Sequence, residues 1–193
     1  MSIRLEGEAD HDAVRLINEA AFGQPDEAKL VDALRDSVDP CISLVAVSGG
    51  DSGDDSGDDS GDDSGDNSGG EIVGHIMFSP VTIEPDSSSA GEAWSALGLA
   101  PMAIAPVHQR KGIGGELIHA GLEICAQHGH RVIFVLGHPE YYPRFGFVSA
   151  PPLGLRCEYD VPDEVFMVVE LEPRAIMGRT GIIRYADAFR DLG

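Results

Sequence analysis

Basic residues are scarce in this sequence: 13 Lys and Arg face 33 Asp and Glu, a formal charge of −20 over 193 residues. A surface of that sign repels a phosphate backbone unless its cations gather in a stripe. The sequence holds no such stripe, so nucleic acid is not an expected partner. Cysteine is nearly absent as well. Cys41, Cys125 and Cys157 stand far apart, with no C-x-x-C or Cys/His ligand spacing. That excludes a disulfide framework and a cysteine metal site, and leaves reduced thiols as the expectation. Long apolar runs are missing too: a membrane span needs roughly 18–20 residues, and the longest run, residues 96–107, is interrupted by Pro101 and Pro106. The first eight residues contain no apolar stretch of the signal-peptide kind. The expectation is a cytoplasmic protein that uses no membrane and no metal.

What is present is enough for a core. Hydrophobic residues make up 42% of the chain, and the length is that of one ordinary domain, residues 1–193. One segment cannot join that core. Residues 49–70 are a Ser, Gly and Asp tract built on an Asp-Ser-Gly-Asp repeat, expected to form a solvated, disordered acidic insert. Its period of four matches neither a calcium-binding EF-hand loop nor a β-roll repeat. The eight aspartates between Asp51 and Asp66 leave 25 acidic residues against 13 basic ones elsewhere, still an excess of 12.

Periodicity places the remaining elements. Apolar residues at helical spacing mark a helix over residues 10–21 and a second one after Pro25, with Leu30, Val31 and Leu34 inward. Residues 41–47 and 71–84 read as strands flanking the insert, the second broken or bent near Pro80. A hairpin connection of that kind tolerates insertions well. Residues 97–105 form a central strand, Gly112 opens a helix over residues 113–128, and residues 131–137 hold a continuous apolar run typical of a strand buried on both faces. Strand, glycine turn, helix and buried strand make a βαβ unit with parallel strands. A helical turn at 139–145 and a strand at 165–171 follow, and the segment after Arg174 has no clear pattern.

The chemistry concentrates between Met102 and Gly115. Gly112 and Gly114, directly before a helix, let a ligand approach backbone N–H groups that the helix leaves unpaired, and the helix dipole favours an anion there. Arg110 and Lys111 add two of the 13 cations. Phosphate or pyrophosphate is the indicated ligand. The Walker A spacing is absent because Glu116 follows Gly115, and a dinucleotide fingerprint would need Gly or Ala where Leu117 stands.

The spacing Gln109-x-x-Gly112-x-Gly114 resembles motif A of the GNAT superfamily of acetyl-CoA-dependent N-acetyltransferases, and Tyr142-x-x-x-Gly146-Phe147 is similar to the element following the fifth strand in that family. The resemblance covers roughly residues 3–171. It implies an α/β fold of the mixed α+β kind, with a central, splayed, mostly antiparallel sheet and one parallel βαβ unit. It further implies that backbone groups of Met102, Ala103 and Ile104 hold the pantetheine and acetyl carbonyl of acetyl-CoA. Gln109, Arg110, Lys111, Gly112, Ile113, Gly114 and Gly115 would bind its pyrophosphate, and Tyr142 would act as the catalytic group facing the departing sulfur.

A phenol of pKa about 10 protonating a thiolate near 8.5 is uphill by roughly 2 kcal/mol, so a hydrogen bond from Tyr142 competes with full transfer. Tyr141 is expected to be structural. The implied activity is acetyl transfer to a primary amine, small-molecule or peptide, by direct attack through a tetrahedral intermediate in a monomer or homodimer. A catalytically silent acyl-CoA-binding module on the same fold is the rival. The acidic chain would steer cationic acceptors. For the general base the sequence offers His75, Glu84, His108, His138 and Glu140 without choosing among them, and it places His108 and His119 on solvent-facing surface.

Overall fold

The computed structural model describes residues 1–49, 70–86 and 93–191, and its strands join one mixed sheet with helices on both faces. In chain order the elements are β1 (Ser2–Leu5), α1 (His11–Phe22), α2 (Asp26–Ser37), β2 (Ile42–Val47), β3 (Ile72–Pro85), β4 (Trp94–Ile104), α3 (Ile113–Gln127), β5 (Val132–Leu136), β6 (Val148–Ser149), β7 (Leu155–Cys157), β8 (Phe166–Glu170) and β9 (Gly181–Arg184). The sheet runs β1-β2-β3-β4-β5-β8-β6, and β9 extends the β2 edge of β3, followed by β7. Neighbours are antiparallel except β4/β5 and β7/β9. The expected βαβ unit is β4–α3–β5.

Each helix is delimited by its own residues. Gly23 ends α1 in the left-handed region (φ 74°), its N–H donating to the Glu19 carbonyl at 2.9 Å. Asp26 and Glu27 start α2, where the helix dipole favours carboxylates. Val14 of α1 and Leu30, Val31 and Leu34 of α2 pack with Met77 and Val81 on one face of the sheet. Ile113, Leu117, Ile118 and Cys125 of α3 pack with Ile76, Phe78, Leu97 and Leu99 on the other. The three cysteines are free thiols. Among the described residues no helix is long and apolar enough to cross a membrane.

Two prolines lie inside strands, and the first behaves differently from expectation. β3 is continuous through Pro80, because that residue falls between the last β2 partner (Ile42 opposite Phe78) and the first β9 partner (Arg184 opposite Thr82). On that edge no ladder bond is needed, so the missing N–H costs nothing. Pro101 lies inside β4. Leu99 faces Phe78 and Met102 faces Ile76, so Ala100 and Pro101 together oppose the single residue Met77. This is a bulge, which bends a strand and sharpens its twist. On its other edge β4 pairs with β5 only over Leu97–Leu99 opposite Ile133–Val135. Beyond the bulge the two strands part.

The strands around the insert are antiparallel neighbours, joined at their ends by the Ser48 N–H donating to the Glu71 carbonyl at 2.8 Å. Residues 50–69 of the insert lie outside the described residues. The segment after Arg174 is ordered into β9 and a helical turn, Asp187–Asp191. Its pattern was unreadable because β9 has only four residues.

A buried polar chain ties α1, α2, β2 and β3 together. His75 is fully buried. Asn18 donates through Nδ2 both to the Val14 carbonyl (2.9 Å) and to His75 Nδ1 (3.1 Å). His75 Nε2 lies 2.9 Å from Ser43 Oγ, which donates to Glu6, and Glu6 is paired in turn with Arg35. An amide N–H can only donate, so Nδ1 accepts and Nε2 carries the proton. Burial and, after it, the Arg35 charge push the His75 pKa down to about 3. His75 is thus a neutral structural group and leaves the set of candidate bases.

Because the unfolded chain takes up a proton at His75 near pH 6.5 and the folded chain does not, stability should fall as pH drops from about 6.5 toward 3. One such group contributes a slope of up to about 1.4 kcal/mol per pH unit. Urea unfolding between pH 6.5 and 4.5 should show a flatter pH dependence in His75→Gln than in the parent; parallel curves would contradict this assignment.

Candidate functional site

The parting of β4 from β5 leaves a backbone edge without a partner strand. The Ala105 N–H donates to the Val73 carbonyl at 2.9 Å, which sets the alternation along the β3/β4 ladder. His75/Ala103 is then a hydrogen-bonded pair, whereas Gly74/Ile104 and Ile76/Met102 are not. Met102 and Ile104 therefore turn their N–H and C=O groups away from β3, into the gap. Ala103 turns its own groups to β3, so of the three backbone positions expected to hold a ligand only Met102 and Ile104 face the opening.

The loop that follows forms a nest of N–H groups. Arg110 (φ 61°) and Gly112 (φ 90°) both adopt left-handed conformations, a turn geometry that gathers backbone N–H groups on one side. Gly112 also caps α3, its carbonyl accepting from Gly115 (2.9 Å) and Glu116 (3.2 Å). No acceptor among the described residues takes up the N–H groups of residues 110–114. Gln109 Nε2 donates to the Ile104 carbonyl at 3.1 Å, tying the loop to the end of β4.

A cavity of about 550 Å³ opens over this loop. Met102, Ile104, Gln109, Arg110, Gly112, Ile113, Gly114 and Gly115 line it, but Ala103 and Lys111 do not. Five residues not assigned to this site from sequence line it as well: His108, His119, Tyr141, Arg144 and Phe145. The His119 ring meets Phe145 edge-on at 5.1 Å, and it stands one helical turn after Gly115, a periodicity that was available to find it. The Arg144 guanidinium lies over the Tyr141 ring at 4.4 Å, and its Nε donates to the Tyr141 carbonyl at 3.1 Å. Neither Arg110, Lys111 nor Arg144 has an acidic partner within salt-bridge distance among the described residues. In a chain this acidic, cations left unpaired around free N–H groups make an anion site.

A second cavity, about 920 Å³, shares Met102, Gln109, Arg110 and Tyr141 with the first and extends toward α1 and α2. Tyr142 and His138 line this one. Tyr142 is 8% exposed, packs edge-on against Phe147 at 5.5 Å, and has its pKa pushed up to about 12 by burial. Its hydroxyl has no hydrogen-bond partner among the described residues. Tyr141 lines both cavities, with its hydroxyl 2.8 Å from where a Cβ on Gly114 would stand. It is a wall of the site rather than remote packing. Of the five candidate bases, Glu84 pairs with Arg184 at the far end of β3, His108 faces the first cavity, Glu140 lines neither, and His138 lines the second. Among the described residues no cluster of three His, Cys, Asp or Glu side chains could hold a metal ion.

Comparison with known proteins points in one direction. Residues 2–150 match the acetyltransferase (GNAT) domain family. The chain is 30% identical over 189 residues to a protein named Uncharacterized N-acetyltransferase YhbS of Escherichia coli (strain K12), covering 98% of each. The crystal structure of the GNAT family N-acetyltransferase YhbS from Escherichia coli in complex with CoA superimposes with a TM-score of 0.79. It is 28% identical and covers 100% of this chain and 93% of that one. A GNAT family acetyltransferase from Brucella melitensis in complex with acetyl-CoA gives a TM-score of 0.68 at 30% identity, covering 97% of both chains.

The placement of Tyr142 depends on Gly137, where a Cβ would stand 2.1 Å from Tyr142 Cε2. Gly137→Ala should therefore cost about 1–3 kcal/mol through overpacking. Urea unfolding reads the loss directly, and unchanged stability would mean that the ring is free to move aside.

Proposed function

Given that the chain belongs to the GNAT acetyltransferase family and is an acyltransferase, we propose that it moves the acetyl group of acetyl-CoA to a primary amine by direct attack. The observation that carries this reading is the β4 edge that β5 leaves open at Met102 and at the Ile104 N–H, together with the free N–H nest at residues 110–114. An extended pantetheine can pair with that edge as a strand would, and a pyrophosphate suits the nest, with Arg110, Lys111 and Arg144 as counter-charges. CoA in the Escherichia coli relative and acetyl-CoA in the Brucella melitensis one support the identity of the co-substrate. Residues 1–193 act as one catalytic unit in this reading.

The acceptor enters from the second cavity. An alkylamine of pKa about 10.4 is almost wholly protonated at neutral pH and must lose a proton to become a nucleophile. His138 takes that proton, being the sequence-derived candidate on this wall. The amine nitrogen then bonds to the thioester carbonyl carbon, and the Ile104 N–H, turned into the gap and free of any ladder bond, donates to the oxyanion. On collapse the nitrogen gives its second proton to water, the C–S bond breaks and the thiolate departs toward Tyr142.

The raised pKa decides what Tyr142 does there. Proton transfer from a phenol at about 12 to a thiolate near 8.5 is uphill by about 5 kcal/mol. Tyr142 accordingly stabilises the thiolate by donating a hydrogen bond and keeps its proton. Tyr142→Phe should lower turnover by about 10²-fold at saturating acetyl-CoA while leaving acetyl-CoA affinity, measured by calorimetry, intact. Parent-like turnover would remove Tyr142 from the mechanism.

A further inference from the structure

The wall of the larger cavity describes what it can hold. Its apolar side chains converge from five separate elements: Phe22 of α1, Leu30 of α2, Leu99 of β4, Leu136 of β5, and Phe189 of the C-terminal helical turn. Polar side chains there are few, and most are engaged elsewhere. The Gln109 amide is committed to the Ile104 carbonyl, Arg110 sits at the boundary with the loop cavity, and the two tyrosines and His138 flank the reacting centre. What remains on the acceptor side is one carboxylate, Glu27. It accepts from Gln24 Nε2, 3.3 Å from each oxygen, and no Lys or Arg among the described residues pairs with it.

We propose that this cavity selects a primary amine borne on an apolar aliphatic or aromatic body, with the Glu27 carboxylate receiving its ammonium on entry. The inference rests on the acyl-transfer reading and narrows it. A volume of about 920 Å³ far exceeds what an acetyl group and the end of a pantetheine fill, and it lies in the range of drug-sized ligands. An apolar body gains about fourfold in affinity per methylene buried against these walls. A polyhydroxylated or polycationic body would instead shed water from groups that find no partner on Phe22, Leu30, Leu99 or Phe189. The overall negative charge still steers any cation toward the protein, and the cavity then discriminates between cations by what carries them.

The test is steady-state thiol release from acetyl-CoA with propylamine, hexylamine, phenethylamine, putrescine, spermidine and glucosamine, alongside calorimetry of acetyl-CoA. We expect kcat/KM for hexylamine and phenethylamine to exceed that for spermidine and glucosamine at least tenfold, with a steep rise from propylamine to hexylamine. Glu27→Gln should raise KM for hexylamine about tenfold without altering acetyl-CoA affinity. Phe22→Ser, at a half-exposed helix end where folding is not at stake, should erode the preference for hexylamine. Preference for spermidine or glucosamine, indifference to chain length, or a parent-like KM in Glu27→Gln would overturn this inference while leaving acyl transfer standing. Failure of every amine to release thiol from protein that binds acetyl-CoA would overturn the acyl-transfer reading, and this one with it.

Discussion

Ala100 and Pro101 together oppose Met77 across the β3/β4 ladder, and the cleft descends from that mismatch. The bulge bends β4 just where its pairing with β5 stops at Leu99. β4 stays fastened to β3 as far as Ala105, while β5 goes on through Gly137 to the tyrosine turn. An edge inside a sheet is normally a liability, because its unpaired groups invite another strand. Here the open groups of Met102 and the Ile104 N–H stand on the same side of the fold as the free N–H groups of residues 110–114, the two being tied together by the Gln109 bond to the Ile104 carbonyl, which suits one long ligand with a polar arm and a charged end.

Charge is distributed to match. The chain is strongly acidic, yet three of its cations stand unpaired around the start of α3 and the tyrosine turn, while many of the others are held in ion pairs. Away from the cleft, polar groups are used for rigidity. The Asn18–His75–Ser43–Glu6–Arg35 chain pins α1 and α2 to the sheet from inside. Those two helices supply Phe22, Glu27 and Leu30 to the larger cavity, so the shape of that cavity is set in part by a buried polar network.

The sequence showed the loop well because its signals are local. Two glycines before a helix, a glutamine three positions earlier and adjacent cations carry their meaning in a dozen residues. Tyr142 was legible from the Gly146-Phe147 pair behind it. What escaped was set by distant neighbours. Pro80 reads as a strand breaker until one sees that β2 ends and β9 begins on either side of it. Ala103 is distinguished from Met102 and Ile104 only by ladder phase, which no composition reveals. His75 resembled a base until its burial between Asn18 and Ser43 was visible. β1, β6, β7 and β9 span two to four residues, too short for a period, and Phe189 reaches the larger cavity from a segment with no pattern of its own.

The central claim is that the β4 edge beyond the bulge receives its missing partner from acetyl-CoA. Residue-resolved amide hydrogen exchange tests it, because Met102, Ala103 and Ile104 are consecutive and differ only in the side to which they point. With saturating acetyl-CoA, exchange at Met102 and Ile104 should slow markedly from a fast rate in the free protein, while Ala103, bonded to β3 in both states, stays slow throughout. Unchanged exchange at Met102 and Ile104 in protein shown by calorimetry to be saturated would contradict the account.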